Sequence, residues 1–243
     1  MPVRRTITAL AAATLVAGCA VPPGTDDAVP DPYEAQNRQI HAFNKQVDAA
    51  VFGPAAGGYS AVPGPARQGV LNFSENVLTP GWFVNNLLQG DLEGAGHNLF
   101  RFTINSTLGI AGIFDPASSF SLERRPADFG QTLYTYGVGP GAYIEVPILG
   151  PWTQRDTLGF VVDVAINPIR LLDVPYPTAL IFGSWLMTLL DERTAFSESI
   201  GQTLHDSADS YAQSKSIYLQ NRLFELQGGD TQEYFDPYED ILD

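Results

Sequence analysis

The sequence predicts an all-α fold, a single largely helical domain with one short extended segment, and three observations carry that expectation. Helix starts recur in which a capping side chain precedes a proline: Asp31-Pro32, Thr79-Pro80, Asp115-Pro116 and Asn167-Pro168. Apolar residues between these starts return at helical spacing, as at Ile40, Phe43, Val47 and Val51. Continuous strand patterns are missing from the first half of the chain.

Taken in order, Asp31 is expected to cap a first helix with Pro32 at its first position and Glu34 completing a capping box. Gly53-Pro54 stops it, and the glycine-, proline- and alanine-rich run to Pro65 reads as a connector. Val70, Phe73 and Val77 mark a second helix to Leu78. Thr79-Pro80 starts a third, which Gly90 ends. Asp91 caps a fourth, carrying Leu92, Leu99, Phe102 and Leu108 before Gly109, and Asp115-Pro116 opens a short helical turn.

The central stretch, Phe129 to Asp156, is different. A short amphipathic run ends at Tyr136-Gly137, three glycines (Gly137, Gly139, Gly141) alternate with Val138 and Pro140, and Tyr143 to Ile148 is extended. Glycine permits backbone angles other residues avoid, so a tight reversal is expected, either a plain turn or a hinge. Pro140 removes an amide and no helix follows directly, which makes a phosphate cradle a poor fit. Arg155-Asp156 opens the next helical pattern. For Thr157 to Ala165, helix and strand compete, and Gly159 and Asp163 break the alternation a strand needs. Asn167-Pro168 restarts a short helix to Leu172. Ala179 to Leu190 is the most apolar run after the leader, shorter than the roughly 20 residues a bilayer-spanning helix needs. It suits a helix within one leaflet or in the core, and Trp82, Trp152 and Trp185 fit either an interface or packing. A last amphipathic helix runs from about Asp206 to Gln227, with Gly228-Gly229 closing the domain at residue 228.

The flanks carry an address. Arg4 and Arg5, the apolar run Ile7 to Val16 and Val16-Ala17-Gly18-Cys19 read as an export signal over residues 1–18 ending in a lipobox. Cys19 is the single cysteine, so no intramolecular disulfide forms, and acylation there would anchor the chain. Ala20 after it favours sorting to the outer membrane. Residues 19–30 form a proline- and aspartate-rich tether, and residues 229–243 an acidic tail. The formal charge is −14, which argues against nucleic acid as a partner and against adsorption to anionic lipid by charge alone.

Catalytic patterns are poorly represented. The chain has no G-x-S-x-G elbow, H-E-x-x-H, C-x-x-C or P-loop, so no enzyme activity, metal or other cofactor is expected. His41, His97 and His205 stand on separate segments and read as structural. Arg101 among Phe100, Phe102 and Ile104, and Asp163 among valines, are either surface ion-pairing groups or polar groups turned to a water-filled interior.

The chain resembles the MlaA (VacJ) family of outer-membrane lipoproteins. The matching residues begin with Asp31-Pro32, Glu34, Asn37-Arg38, Phe43-Asn44, Pro65-Ala66-Arg67, Asn72-Phe73, Asn85 and Gln89-Gly90-Asp91. They continue through Arg101-Phe102, Asn105, Leu108-Gly109, Asp115, Phe129-Gly130, Thr132-Leu133 and Tyr136-Gly137-Val138-Gly139, then Tyr143, Pro147, Gly150 and Arg155-Asp156. The match is vaguer over Thr157 to Ser199 and sharpens at Asp209-Ser210-Tyr211 and Gly228-Gly229. The resemblance implies a helical ring embedded in the outer membrane. Mislocalised phospholipid would pass from the outer leaflet through its amphipathic channel to the periplasmic carrier MlaC. It also implies binding to a trimeric porin and a hairpin-like loop beside the channel over Gly137 to Pro147. On that reading Gly137, Gly139 and Gly141 are candidate gating residues, and Arg101, Asn105, Arg155 and Asp156 candidate polar channel contacts. A scaffolding lipoprotein whose main role is porin binding is the alternative.

Overall fold

The helix that begins at Gly64 does not stop where the sequence punctuates it. In the computed structural model, which describes residues 29–227, Gly64–Gln89 is one helix (α3) with Pro80 in its interior. Thr79 does not cap a new helix; its hydroxyl donates to the Glu75 carbonyl at 2.8 Å. Pro80 removes one hydrogen bond, and packing of α3 against the two helices that flank it offsets the loss. The export signal, Cys19, most of the tether and Gly228 onward lie outside the described residues.

Before α3, α1 (Glu34–Val47) runs through a π-helical turn (Asp48–Phe52) into α2 (Gly53–Ser60), so Gly53-Pro54 does not end the first helix and most of the expected connector is helical. Asp31 does not cap α1 either. Its carboxylate accepts from Asn37 Nδ2 at 2.9 Å and Lys215 Nζ at 2.8 Å, and from the Tyr211 hydroxyl. The residue read as a local cap is a long-range tie.

Other starts and stops fall where local chemistry places them. Gly90 ends α3 at φ +77°, and Asp91 caps α4 (Leu92–Thr107) by accepting from Gly94 N. Asp115 caps a 3₁₀ turn, Pro116–Phe120. A capping box of Asp128 and Gln131 opens α5 (Phe129–Thr135). The hairpin β1 (Tyr143–Val146) and β2 (Gly150–Thr153) follows, antiparallel with Tyr143 opposite Thr153 and Val146 opposite Gly150. Thr153 caps α6 (Gln154–Ile166), settling the helix–strand competition for helix. Asn167 caps a 3₁₀ turn, Pro168–Leu171. Then come α7 (Pro177–Ala195), α8 (Ser197–Gly201), a π-helical turn (Gln202–Asp206) and α9 (Ser210–Leu226), capped by Asp209.

The long α3 is the axis of the packing, with α4 and α7 along it, and α5 and α6 paired beside it. Gly159 makes that last pairing possible: a Cβ there would sit 2.5 Å from the Gly130 nitrogen. The apolar core is small. Val77, Ile169 and Ile181 form its buried centre, with Phe73, Phe102 and Val164 packed on it. The other buried positions are largely polar, including Asn72, Asn76, Asn85, Asn86, Asn98 and Asn105, while Leu92, Phe100, Leu108, Phe114 and Phe120 are exposed. This is the reverse of the usual distribution in a water-soluble domain. No helix among the described residues is long and apolar enough to cross a membrane.

Candidate functional site

A cavity of about 560 Å³ opens between α3, the hairpin, α6, α7 and α9. Its lining is mixed. Trp82, Leu78, Trp152, Phe160, Trp185 and Leu189 are its apolar members. Trp152, Phe160 and Trp185 contact one another, with Phe160 and Trp185 centroids 4.6 Å apart. Glu75, Asp128, Asp156, Asp163, Glu192, Glu225, Tyr218 and Arg222 are its polar members. The two kinds share helix faces, as Glu75 does with Leu78 and Trp82 on α3, Asp156 with Phe160 on α6, and Glu192 with Leu189 and Trp185 on α7. Helical spacing on α9 brings Tyr218, Arg222 and Glu225 to one face.

Arg222 ties the polar members together. It donates to Asp128 through both terminal nitrogens at 2.8 Å, to Asp156 at 2.9 Å and to Glu225 at 3.0 Å. Burial acts to lower the affinity of this guanidinium for its proton, and the bonds to Asp128 and Asp156 more than reverse that. Burial likewise acts to raise the Asp156 carboxyl, but Arg222 and Arg155 hold it below the usual range, with Thr153 and Tyr218 donating at 2.6 and 2.8 Å. Among the described residues no cation touches Asp163, and Arg222 lowers it only from a distance. Burial pushes it up to about 7, although Phe129 N donates to its two oxygens, each at 3.1 Å, and Asn85 donates at 2.6 Å. Glu75 is also raised by burial to about 7, Arg124 at 2.7 Å notwithstanding.

Of the four residues expected as polar contacts, Asp156 lines this cavity. Arg155 lies beside it, 2% exposed, its guanidinium 5.4 Å from the Tyr134 ring centroid. Arg101 and Asn105 are elsewhere: each bonds Asp115 at 2.8 Å, Asn105 also accepts from Ala117 N, and Arg101 donates to the Leu122 carbonyl. They fasten the loop after α4. The three glycines are not equivalent. Gly137 and Gly141 have φ of +80° and +70°, whereas Gly139 is not in the left-handed region. A side chain at Gly137 would meet open space, but one at Gly141 would strike Gln154. Gln154 and Arg155 also donate backbone bonds to Ala142 and Pro140, pinning the later half of the reversal to α6.

The histidines are less solitary than their spacing suggests. His41 Nδ1 lies 3.0 Å from Glu145 Oε1 and its Nε2 3.1 Å from Ser210 Oγ, joining α1, β1 and α9. All three residues are buried, outside the cavity lining, and Lys45 donates to the same Ser210 oxygen. The arrangement is a structural bridge. His205 pairs with Asp48 at 2.8 Å, beside Arg193. Sequence reasoning missed Arg222 and Asp128 as lining residues. Asp128-x-x-Gln131 was a readable capping signal, but apart from Glu225 the partners of Arg222 lie 66 and 94 residues away.

A second, smaller recess of about 490 Å³ is wholly apolar, lined by Val51, Phe52, Ile148, Phe182, Leu186 and Leu190 among others. It sits where the hairpin tip meets α7.

Comparison with known proteins places the chain among relatives of similar sequence and fold. A family model described as MlaA lipoprotein matches residues 29–225. The intermembrane phospholipid transport system lipoprotein MlaA of Shigella flexneri is 35% identical over 222 residues, 89% of this chain and 86% of that protein. Its Escherichia coli K12 counterpart is 34% identical over the same shares of the two chains. An uncharacterised Rickettsia prowazekii protein is 36% identical over 201 residues, 81% of this chain and 78% of its own. A solved chain from work on the structural basis for maintenance of bacterial outer membrane lipid asymmetry superposes with a TM-score of 0.69 at 32% identity, covering 81% of this chain and 98% of that one.

Proposed function

The chain belongs to the MlaA lipoprotein family, and we propose from that premise that its cavity is a path along which phospholipid leaves the outer leaflet of the outer membrane. The protein is a lipoprotein of the intermembrane phospholipid transport system, and it maintains outer-membrane lipid asymmetry. Cys19 carries the acyl anchor, and the domain faces the periplasm. The lipid is handed to a soluble carrier of the MlaC type, a trimeric porin holds the lipoprotein in place, and no bond of the lipid is broken.

The observation that carries this reading is the presence of aromatic and charged side chains together in the lining of one cavity. Moving an ionic headgroup through hydrocarbon is costly, and polar groups beside apolar ones lower that barrier for headgroup and chains together. The exposed Leu92, Phe100 and Leu108 support an outer surface in contact with lipid or another protein. That same surface favours the scaffold alternative, in which porin binding is the whole role.

Filling the cavity separates the two. Thr188 lines it from α7. In a deletion strain, Thr188→Trp should restore the protein's abundance and porin association but leave phospholipid on the cell surface and the cells detergent-sensitive. Full restoration of detergent resistance by that variant would favour the scaffold and remove the path.

A further inference from the structure

The charged lining is one-sided in sign. Six carboxylates, Glu75, Asp128, Asp156, Asp163, Glu192 and Glu225, line the cavity, and Arg222 is the one basic side chain lining it among the described residues. Arg222 is already engaged by Asp128, Asp156 and Glu225. No cation remains there to receive a phosphate or a second anionic group. Arg124 offsets Glu75 from outside the lining. Among the described residues no basic side chain pairs with Glu192, which burial raises and which Glu225 and Asp191 raise further by repulsion.

Among these acids stand the rings of Trp152, Phe160 and Trp185, in mutual contact and lining the same cavity. Glu192 lies on the face of α7 that carries Trp185, and Asp156 on the face of α6 that carries Phe160. Aromatic faces attract ammonium groups through the ring quadrupole. Carboxylates interleaved with such rings suit a cationic amine twice over. Asp128, Asp156 and Glu225 converge on Arg222, and among the described residues no group of three or more acids is placed to hold a metal ion.

We propose that this cavity selects phospholipids whose headgroup carries an ammonium, such as ethanolamine, over those whose headgroup leaves the lipid net anionic, such as glycerol. The proposal rests on the cavity being the lipid path. Confinement between low-dielectric walls focuses the field of these acids on the headgroup. One close charge pair even at the dielectric of water is worth about 1 kcal/mol, or about fivefold in selection.

The test uses the full-length acylated protein purified in detergent micelles containing equal amounts of phosphatidylethanolamine and phosphatidylglycerol with identical acyl chains. Lipid retained on the protein is quantified by mass spectrometry against protein-free micelles. Phosphatidylethanolamine should be enriched about fivefold. Glu192→Gln should reduce the ratio, and Glu192→Lys should carry it toward phosphatidylglycerol, a reversal that mere destabilisation would not produce. Equal retention of both lipids by the unaltered protein would overturn the selectivity and leave the path standing. Retention of neither would overturn the path itself.

Discussion

Asp163 shows how a single residue can be well bonded and still uncomfortable. Its oxygens satisfy Phe129 N at the start of α5 and Asn85 on α3, so it ties three helices together. Burial nevertheless raises it to about 7 from an ordinary carboxyl value, with Asp128 adding repulsion. Between about pH 4 and 7 the folded protein therefore holds a proton that the unfolded chain releases, and stability at this residue falls as pH rises through that window. Asp163→Asn keeps an acceptor for Phe129 N and removes the charge. The variant should match or exceed the wild type in urea resistance at pH 8, while the difference narrows or reverses at pH 5. The relative shift between the two pH values should be about 1–2 kcal/mol, discounted because one side faces the cavity. Glu75 is raised in the same direction and keeps its share of the slope in both proteins. A gap between variant and wild type that is the same at both pH values would show that Asp163 does not titrate in this range.

Among the elements, the hairpin is the one that cannot stand alone. Two strands of four residues are marginal without outside support, and here the support comes from α1. Asn37 bonds the Tyr143 carbonyl and the Glu145 amide, Asn44 bonds the Val146 carbonyl and the Ile148 amide, and His41 meets the Glu145 carboxylate. Ile148, at φ +73°, is held in the left-handed region that its branched side chain disfavours. His41→Ala should cost about 2–4 kcal/mol, because it opens a cavity and leaves buried polar groups short of a partner. Amide exchange across Tyr143–Thr153 should quicken more than exchange in the middle of α3. Uniform quickening would mean that the bridge stabilises the whole fold instead of the hairpin. These ties also explain what was legible beforehand. Caps act within a turn, so Asp91, Asp115 and Asn167 could be read from their neighbours alone. The last helix, expected from about Asp206, instead starts at Ser210: Asp206 ends a π-helical turn, and the cap is Asp209. Thr79-Pro80, Gly53-Pro54 and Asp31 carry the same local signals, but packing against distant helices decides them. The cavity was half legible: its tryptophans, Asp156 and Asp163 stood out in the sequence, whereas Arg222 gains meaning only when α9 folds back across α5 and α6.

At the scale of the whole molecule, polarity is turned inside out, and that distribution predicts how the domain meets its surroundings. The interior is held by asparagines, the Arg101–Asp115 pair and the Arg222 cluster, while α4 and the loop after it present Leu92, Phe100, Leu108, Ile110 and Phe114 outward at 74, 62, 68, 61 and 59% exposure. An apolar face of this extent is unfavourable in water and favourable against hydrocarbon. Burying one such side chain is worth about 1.5–3 kcal/mol, whereas replacing one on an exposed surface changes folding stability by no more than about 0.5 kcal/mol. Membrane affinity and fold stability should therefore come apart. With Cys19→Ser removing the acyl anchor, the domain should still float with vesicles of bacterial phospholipid. Adding Phe100→Asp and Leu92→Lys should then weaken binding by about a hundredfold or more, one side chain each being worth roughly tenfold, with the urea midpoint hardly moved. The pairing of opposite charges leaves the net charge of the face unchanged, so the loss reports apolar contact. Unaltered flotation in the triple variant would locate the membrane contact elsewhere, with the apolar recess at the hairpin tip and α7 as the next face to test by the same means.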